Sequence, residues 1–384
     1  MSATESPMTA SSGMDERSAS PVRIGVVGCG SVLRAYGRLI QALRFEGAAE
    51  VVAAADVDPA KLDYVRELWP HAEVGTEPRE VIESDAVDLV LVLTAMQHHG
   101  ELAKSALRAG KHVLVEKPMA TTMEEAAEVL EVARDAPGIL VCAPHIVLSP
   151  TFAQIFHRVR RGDVGRVLLA RARYGWAGPW WGEWYYRQGG GALFDLGVYN
   201  VTALTALLGP AKRVTAMAGT VKPERVVDGE TVRSEVVDNA HVLLDFGDAV
   251  YASVTTGFSM QKYRGPAIEL YGSDGTIQMM GDDWAPEGFE LWRNEAGHWE
   301  IHGETDTHWQ WTEGLRHLVD CIREDRTPIH TPEHVYHALE IMLAAEAAGR
   351  DGQARELTTT FPPLELPVPE GIGHESHDAR VDRV

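Results

Sequence analysis

The sequence predicts an α/β chain of two domains: an N-terminal doubly wound parallel sheet, then an α+β domain with a large, open, mostly antiparallel sheet. Three observations carry that expectation. Short apolar runs alternate with helical patterns from Val22 to Cys142, the order of a parallel sheet wound with right-handed crossovers. The first run ends in a glycine turn and the second in an aspartate, Asp56. At Pro144-His145 the pattern changes to strand-rich runs joined by hairpin turns.

Residues 1–20, rich in Ser and Thr and lacking an apolar leader segment, are expected to be a disordered tail. Val22 to Val27 reads as the first strand, Gly28-Cys29-Gly30-Ser31 as a turn, and Leu33, Tyr36, Leu39, Ile40 and Leu43 as the apolar stripe of a helix. Strand, glycine turn and helix in that order bind phosphate. Gly28 permits the tight turn, Gly30 admits a pyrophosphate, and the N–H groups of Ser31 and Val32 at the helix start meet its charge. Leu33 stands where the fingerprint has its third glycine. The run 50–55 ends at Asp56, placed to accept bonds from an adenosine ribose and to repel a 2′-phosphate. Val57-Asp58-Pro59 offers no arginine to such a phosphate, so NAD(H) is expected over NADP(H). The competing role for Asp56, a helix cap before Pro59, suits Asp58 better.

Residues 87–93 read as a fully buried strand, and Thr94 to His99 lead into a helix that ends at Gly110. The strand 112–115 then delivers Glu116-Lys117-Pro118. A lysine at the carboxyl end of a buried parallel strand sits at the crevice where such sheets bind ligands, and Pro118 ends the strand. The plain alternative is a surface lysine at a strand end. Thr121 or Thr122 with Glu124 or Glu125 forms a capping box, and 138–142 closes a sheet of about six strands.

The second domain opens with Ser149-Pro150, the cap of a helix reaching Arg161. Strands are expected at 166–174, 213–221, 240–246, 249–256, 267–272 and 275–280, with Gly247-Asp248 and Ser273-Asp274-Gly275 as turns. Thr331-Pro332-Glu333 starts an amphipathic helix ending near Gly349, and residues 363–384 are expected to be a loose tail. The domains are thus 21–143 and 144–362. A broad sheet with few helices should bury one face against another subunit, giving a homodimer or homotetramer.

Composition narrows the partners. Against 35 Lys and Arg stand 56 Asp and Glu, a net charge of −21 that argues against nucleic acid and anionic membranes. No apolar run reaches membrane-spanning length. Cys29, Cys142 and Cys321 form no metal pattern, so reduced thiols in a cytoplasmic protein are expected. His298, His302 and His308 do not share a helical face, and no metal is expected.

The remaining chemistry lies after Gly189-Gly190-Gly191, whose missing side chains would let backbone approach a ligand. Asp195 and Tyr199 follow at i and i+4, sharing one face if Asp195 begins a helix. A phenol with a pKa near ~10 is a poor base at neutral pH unless an ammonium favours the phenolate, and Lys117 could supply one. Otherwise Tyr199 is a packing residue. Trp176, Trp180, Trp181, Trp184, Tyr185 and Tyr186 suit stacking on a sugar, an interface, or the core. Trp180 and Trp181, after Gly178-Pro179, are the better ligand contacts; His145 at the domain junction is either a substrate contact or structural.

Together GCGS after the first strand, Asp56, AGKHVLVEKPMA and GGGALFDLGVYNVTALTALLG resemble the Gfo/Idh/MocA oxidoreductases, over roughly residues 21–362. The resemblance implies a Rossmann domain followed by an α/β domain that often forms oligomer contacts. It implies that Lys117 lies at the nicotinamide and substrate and Glu116 near the cofactor. A family segment of the form T-P-x-x-x-H maps onto Thr94 to His99 as further cofactor contacts, with Ala95 in place of proline. Tyr199 stands where inositol-dehydrogenase-like members carry histidine, which is similar to the branch of glucose–fructose oxidoreductase and dimeric dihydrodiol dehydrogenase. The expected activity is NAD-dependent hydride transfer to or from a secondary alcohol or ketone of a sugar, polyol or related cyclic compound. Lys117, Tyr199 and Asp195 would be its catalytic residues. Two alternatives are a glycosidase or lyase that uses NAD transiently without net NADH release, and a non-catalytic sugar-sensing protein.

Overall fold

The computed structural model describes residues 20–282 and 284–369, so most of both expected tails lies outside the described residues. The first domain runs β1 (Val22–Val27), α1 (Ser31–Phe45), β2 (Ala49–Ala55), α2 (Leu62–Leu68), β3 (Glu73–Gly75) and α3 (Pro78–Ile82). It continues through β4 (Leu89–Val92), α4 (His99–Arg108), β5 (His112–Val115), α5 (Met123–Asp135) and β6 (Leu140–Cys142). All six strands are parallel in the order β3-β2-β1-β4-β5-β6. The order reverses between β1 and β4, and the crevice past their carboxyl ends is where a doubly wound sheet takes its ligand. β1 and β4 are apolar on both faces because helices cover both, and the expected stripe of α1 is wholly buried beneath them. The capping box is present: Thr122 Oγ1 accepts the Glu125 N–H at 3.2 Å, and the Glu125 carboxylate accepts the Thr121 N–H at 3.3 Å.

The second domain begins with α6 (Pro150–Arg161), capped by Ser149 Oγ on the Phe152 N–H at 3.0 Å. Then come β7 (Val167–Gly175), α7 (Val198–Leu208), β8 (Arg213–Gly219) and a separate hairpin of β9 (Glu224–Val227) and β10 (Glu230–Arg233). β11 (Asn239–Gly247), β12 (Val250–Gly257), β13 (Ile268–Gly272), β14 (Gly275–Asp282), β15 (Ala285–Arg293) and β16 (Trp299–Gly303) follow. The chain ends with α8 (Gly314–Glu324), α9 (Pro332–Asp351) and β17 (Arg355–Glu356). Nine strands form one sheet, β16-β15-β14-β13-β7-β12-β11-β8-β17, antiparallel except for β7 beside β12. The β11–β12 turn falls one residue later than expected. Asp248 and Ala249 both have positive φ, +50° and +58°, the paired left-handed residues of a turn that follows strand twist.

β3, the β9–β10 hairpin, β15 and β16 were not expected, and three further features differ. α8 belongs to the second domain by position, yet Leu315, Leu318 and Val319 are buried in one cluster with Leu33, Leu39 and Ile24 of the first. α9 is not simply amphipathic: it lies between the layers, touching α5 and β6 on one side and α7 and β8 on the other, with His334 and His337 buried. The expected loose tail begins later than residue 363. Leu364 and Leu366 are buried, and His157 Nε2 lies 3.1 Å and 2.9 Å from the carbonyls of Leu366 and Pro367.

Helices α6, α7 and α9 cover one face of the nine-stranded sheet. On strands that alternate buried and open residues, Leu169, Leu243 and Tyr251 point to the other side, and Met217 is 82% exposed. No helix among the described residues is long and apolar enough to cross a membrane.

Candidate active site

The glycine turn after β1 makes one wall of a cleft of about 400 Å³, lined also by Ser31, Val32, Asp56, Thr94 and Trp184. Gly28 has φ +96°, and a Cβ there would lie 2.6–2.7 Å from the Leu93 carbonyl and the Thr94 N. No other residue fits. At Gly30 a Cβ would meet nothing, so backbone at the start of α1 faces open space wide enough for phosphate oxygens. Leu33, in the place of the third glycine, is fully buried in the core instead.

Asp56 is 7% exposed and braces this turn: its carboxylate accepts the Cys29 N–H at 2.7 Å and the Asp58 N–H at 2.9 Å. Each oxygen keeps lone-pair capacity for a ribose hydroxyl. Asp58 caps the short helical turn after it, accepting the Ala60 N–H at 3.0 Å. Lys61 Nζ, 3.6 Å from Asp56, also lines the cleft and offsets part of the aspartate's charge. Lys61 stands two residues beyond Val57-Asp58-Pro59, the stretch in which no arginine is found.

His99 does not reach the cleft. It is 1% exposed and bridges two loops, Nδ1 lying 2.7 Å from the Pro118 carbonyl and Nε2 3.0 Å from the Thr94 carbonyl. Burial lowers its pKa against the pull of those two oxygens. It fixes the loop after β4 to the turn after β5. Glu116 likewise works from behind: it accepts the Tyr36 hydroxyl at 2.8 Å and the Lys117 N–H at 3.2 Å.

Lys117 leaves β5 and crosses to the second domain. Its Nζ donates to Asp195 Oδ1 at 2.6 Å and to the Asp195 carbonyl at 3.0 Å, both side chains about nine-tenths buried. Burial pulls the ammonium's pKa down, but the charges of Asp195 and Glu116 outweigh it, and the pKa stands above its usual value. The same Nζ lies 5.6 Å from the centre of the Tyr199 ring, which meets Tyr174 edge-on at 6.0 Å. Asp195 sits on a π-helical turn, Leu193–Gly197, that runs directly into α7. With more residues per turn than an α-helix, it brings positions four apart almost into line, so Asp195 and Tyr199 meet the same lysine.

The glycines before Asp195 have a different role from the one expected. Gly191 has φ +88°, and a Cβ there would lie 2.7 Å from the Val237 carbonyl; its N–H donates to Tyr185 O at 2.7 Å. They let the chain fold against itself, which seats Asp195, and none of the three lines either cavity.

A second cavity, about 540 Å³, opens beside this group and is lined by Lys117, Asp195, Tyr199, Tyr185, Trp181 and Trp311 among others. Tyr185 was not singled out from its aromatic run, yet it faces Lys117 and Asp195. Burial and the Asp195 carboxylate push its phenol up to about 12, Lys117 opposing, so it is a hydrogen-bond donor at neutral pH. Trp184 stacks on Tyr185 at 5.4 Å and lines the first cleft, making the pair a partition between the two spaces. Trp180, expected as a ligand contact, is 69% exposed and lines neither space. His145 is also elsewhere. It is 1% exposed, beneath α8 and close to His317 and His330, and burial holds its pKa well below the usual histidine value. Trp311, edge-on to Tyr36 at 5.6 Å, carried no signal in the sequence because it stands outside any motif. Among the described residues no group of His, Cys, Asp and Glu side chains is placed to hold a metal ion.

Residues 22–143 match the oxidoreductase family with an NAD-binding Rossmann fold, and residues 152–278 match the GFO/IDH/MocA C-terminal domain. The chain is 32% identical over 273 residues to dTDP-3,4-didehydro-2,6-dideoxy-alpha-D-glucose 3-reductase of Actinomadura kijaniata, covering 68% of this chain and 75% of that protein. It is 27% identical over 362 residues to scyllo-inositol 2-dehydrogenase (NADP(+)) of Bacillus subtilis, covering 87% and 96%. Its fold superposes on levoglucosan dehydrogenase in complex with NADH and levoglucosan with a TM-score of 0.77 at 20% identity, covering 88% and 99%. Two successive domains matched along the chain, around a cleft that fits a dinucleotide, place this protein in the Gfo/Idh/MocA family of oxidoreductases.

Proposed function

We propose that the chain transfers hydride between the nicotinamide of NAD(H) and a secondary alcohol or ketone of a sugar, polyol or related cyclic compound. The observation that carries this is the Lys117–Asp195 pair on the wall of a second cavity that the Trp184–Tyr185 pair separates from the dinucleotide cleft. Bound NAD(H) would supply the hydride acceptor or donor; the chain's own residues must manage the proton and the orientation. Tyr199 takes the hydroxyl proton as the carbonyl forms and returns it in the reverse direction. Lys117 holds the substrate oxygen beside Tyr199, while Asp195 fixes the ammonium and tempers its charge. Tyr185, kept protonated, donates a hydrogen bond to the substrate. His99 and Glu116 keep the two loops in register behind them.

NAD(H) over NADP(H) is supported by the buried Asp56 carboxylate at the ribose end. Self-association is supported by the open face of the nine-stranded sheet, where Met217 and Leu243 are exposed. A cytoplasmic setting is supported by three buried, unpaired cysteines. The test is a screen of sugars, glycosides and inositols for net change in nicotinamide absorbance, beside the Lys117→Met variant. Net NADH from the wild-type chain, lost in that variant, is expected. Product release without net NADH would replace this reading with transient redox chemistry.

A further inference from the structure

The second cavity holds more aromatic surface than a single sugar ring can use. A pyranose has two faces, so at most two rings can stack on it. Eight aromatic side chains line the space. Several are engaged around the reacting end: Tyr185 with Trp184, Tyr174 with Tyr199, and Trp311 with Tyr36. Trp176 and Trp181 continue this wall away from Lys117, ring centres 5.6 Å apart and tilted by 39°, Trp181 meeting Tyr185 edge-on at 6.3 Å, both half-buried. Indole surface left facing water is unfavourable unless something covers it.

That wall is also built rigidly. Arg225, 4% exposed, donates to the Ala177 carbonyl at 3.0 Å and the Phe258 carbonyl at 3.1 Å, and pairs with the fully buried Asp238 at 2.7 Å. The Tyr186 hydroxyl donates to the Pro179 carbonyl at 2.5 Å. A desolvated ion pair adds little net stability, but it fixes the backbone that carries Trp176 and Trp181 in one place. At the rim Gln261 and Lys262 are exposed, and the Tyr263 hydroxyl donates to Asp282 at 2.8 Å, which adds polar contacts beyond the reacting end.

Resting on the sugar-oxidoreductase reading above, we infer that the substrate is a glycoside rather than a free monosaccharide or inositol. The sugar to be oxidised sits against Lys117 and Asp195, and a second ring joined to it lies on Trp176 and Trp181. An aromatic aglycone and a second sugar both present a flat apolar face to that wall, and the cavity has the 300–1,000 Å³ scale of sites for ligands of that size.

The test is calorimetry on NAD⁺-saturated protein with matched ligands. Methyl and phenyl β-D-glucopyranosides, methyl and phenyl β-D-galactopyranosides, cellobiose and lactose are titrated, and NADH formation is followed in the same samples. In at least one configuration the two-ring ligand should bind about ten-fold or more tightly than its methyl partner. A tighter phenyl glycoside identifies an aglycone, and a tighter disaccharide a second sugar. Trp181→Ala, and separately Trp181→Leu with its far-UV spectrum and melting temperature checked, should bring the ratio to within about two-fold. Ratios near one throughout, no binding by any ligand, or a preference that survives in both variants would overturn the inference. A clear ratio with no NADH formed leaves the two-ring site standing and removes the oxidoreductase reading instead.

Discussion

Acid should unfold this protein earlier than its carboxylates alone would dictate, because five histidines are buried neutral around α8 and α9. His145, His330, His334 and His337 are at most 1% exposed and His317 is 8% exposed. Burial holds His317 and His337 down to about 4 and His330 to about 3, and leaves His145 and His334 well below the ordinary value. Arg326 presses His317 further down against Glu324, while Glu340 and Thr359 pull His337 upward. A folded pKa below the unfolded one means that the unfolded chain binds more protons, so stability is complete above about 6.5 and falls as pH drops. From pH 7.5 to 5.0 each such histidine costs about 2 kcal/mol, and the three with assigned values about 6 kcal/mol together. That approaches the whole stability of many proteins, roughly 5–15 kcal/mol. The carboxylates held low by partners, such as Asp88 and Glu340, are still ionised at pH 5.0 and do not confound the comparison. Urea unfolding followed by tryptophan fluorescence should show a much lower midpoint at pH 5.0 than at 7.5. His330, with neither ring nitrogen paired, supplies the control. His330→Leu should change little at pH 7.5 and recover part of the loss at pH 5.0. Equal midpoints at the two pH values, or a His330→Leu profile parallel to the wild type, would refute the reasoning.

Other perturbations separate the roles around Lys117. Tyr199→Phe should lower kcat by about 10²–10⁴-fold with NAD⁺ affinity kept, and Lys117→Ala by at least as much; near-normal turnover in Tyr199→Phe alone would transfer the proton to Lys117. Lys117→Arg should rescue little, since the guanidinium keeps the charge but differs from the ammonium in shape and reach. At the ribose end, Asp56→Ala should narrow the preference for NAD⁺ over NADP⁺ and also lower the melting temperature, because the Cys29 and Asp58 N–H groups lose their acceptor; Lys61→Glu should widen the preference, and unchanged binding ratios in both would discard the charge argument. Light scattering at micromolar concentration should find dimers or tetramers, and Leu243→Asp should shift them toward monomer.

The first domain was legible because its central strands are buried on both faces and bounded by glycine, aspartate or proline, so pattern and topology agree; the short, open edge strand β3 carries no such pattern. Sequence and structure agree on position where chemistry forces a residue type: Gly28 and Asp56 line the first cleft and Lys117 the second cavity. They part where residue type underdetermines direction. His99 and His145 carry the right chemistry but face inward, and only three-dimensional packing decides that. Trp180 and Trp181 are neighbours in sequence, but one faces solvent and one the cavity. β15, interrupted by Pro286 and Gly288, has no clean alternation, and its pairing with β14 slips at Gly281.

The docking of α8 on the first domain has a consequence for synthesis. Leu315, Leu318 and Val319 fill the same buried cluster as Leu33 and Leu39, and Arg316 closes it with an ion pair to Glu46 at 2.6 Å. The amino-terminal core therefore cannot be finished when residue 143 leaves the ribosome. At 5–20 residues per second the missing helix arrives about 10–35 s later, and until then an apolar groove on a nearly complete domain stays open to water and to chaperones. A gene fragment ending at residue 143 keeps that groove permanently, so it should be recovered as aggregate where the full chain is soluble.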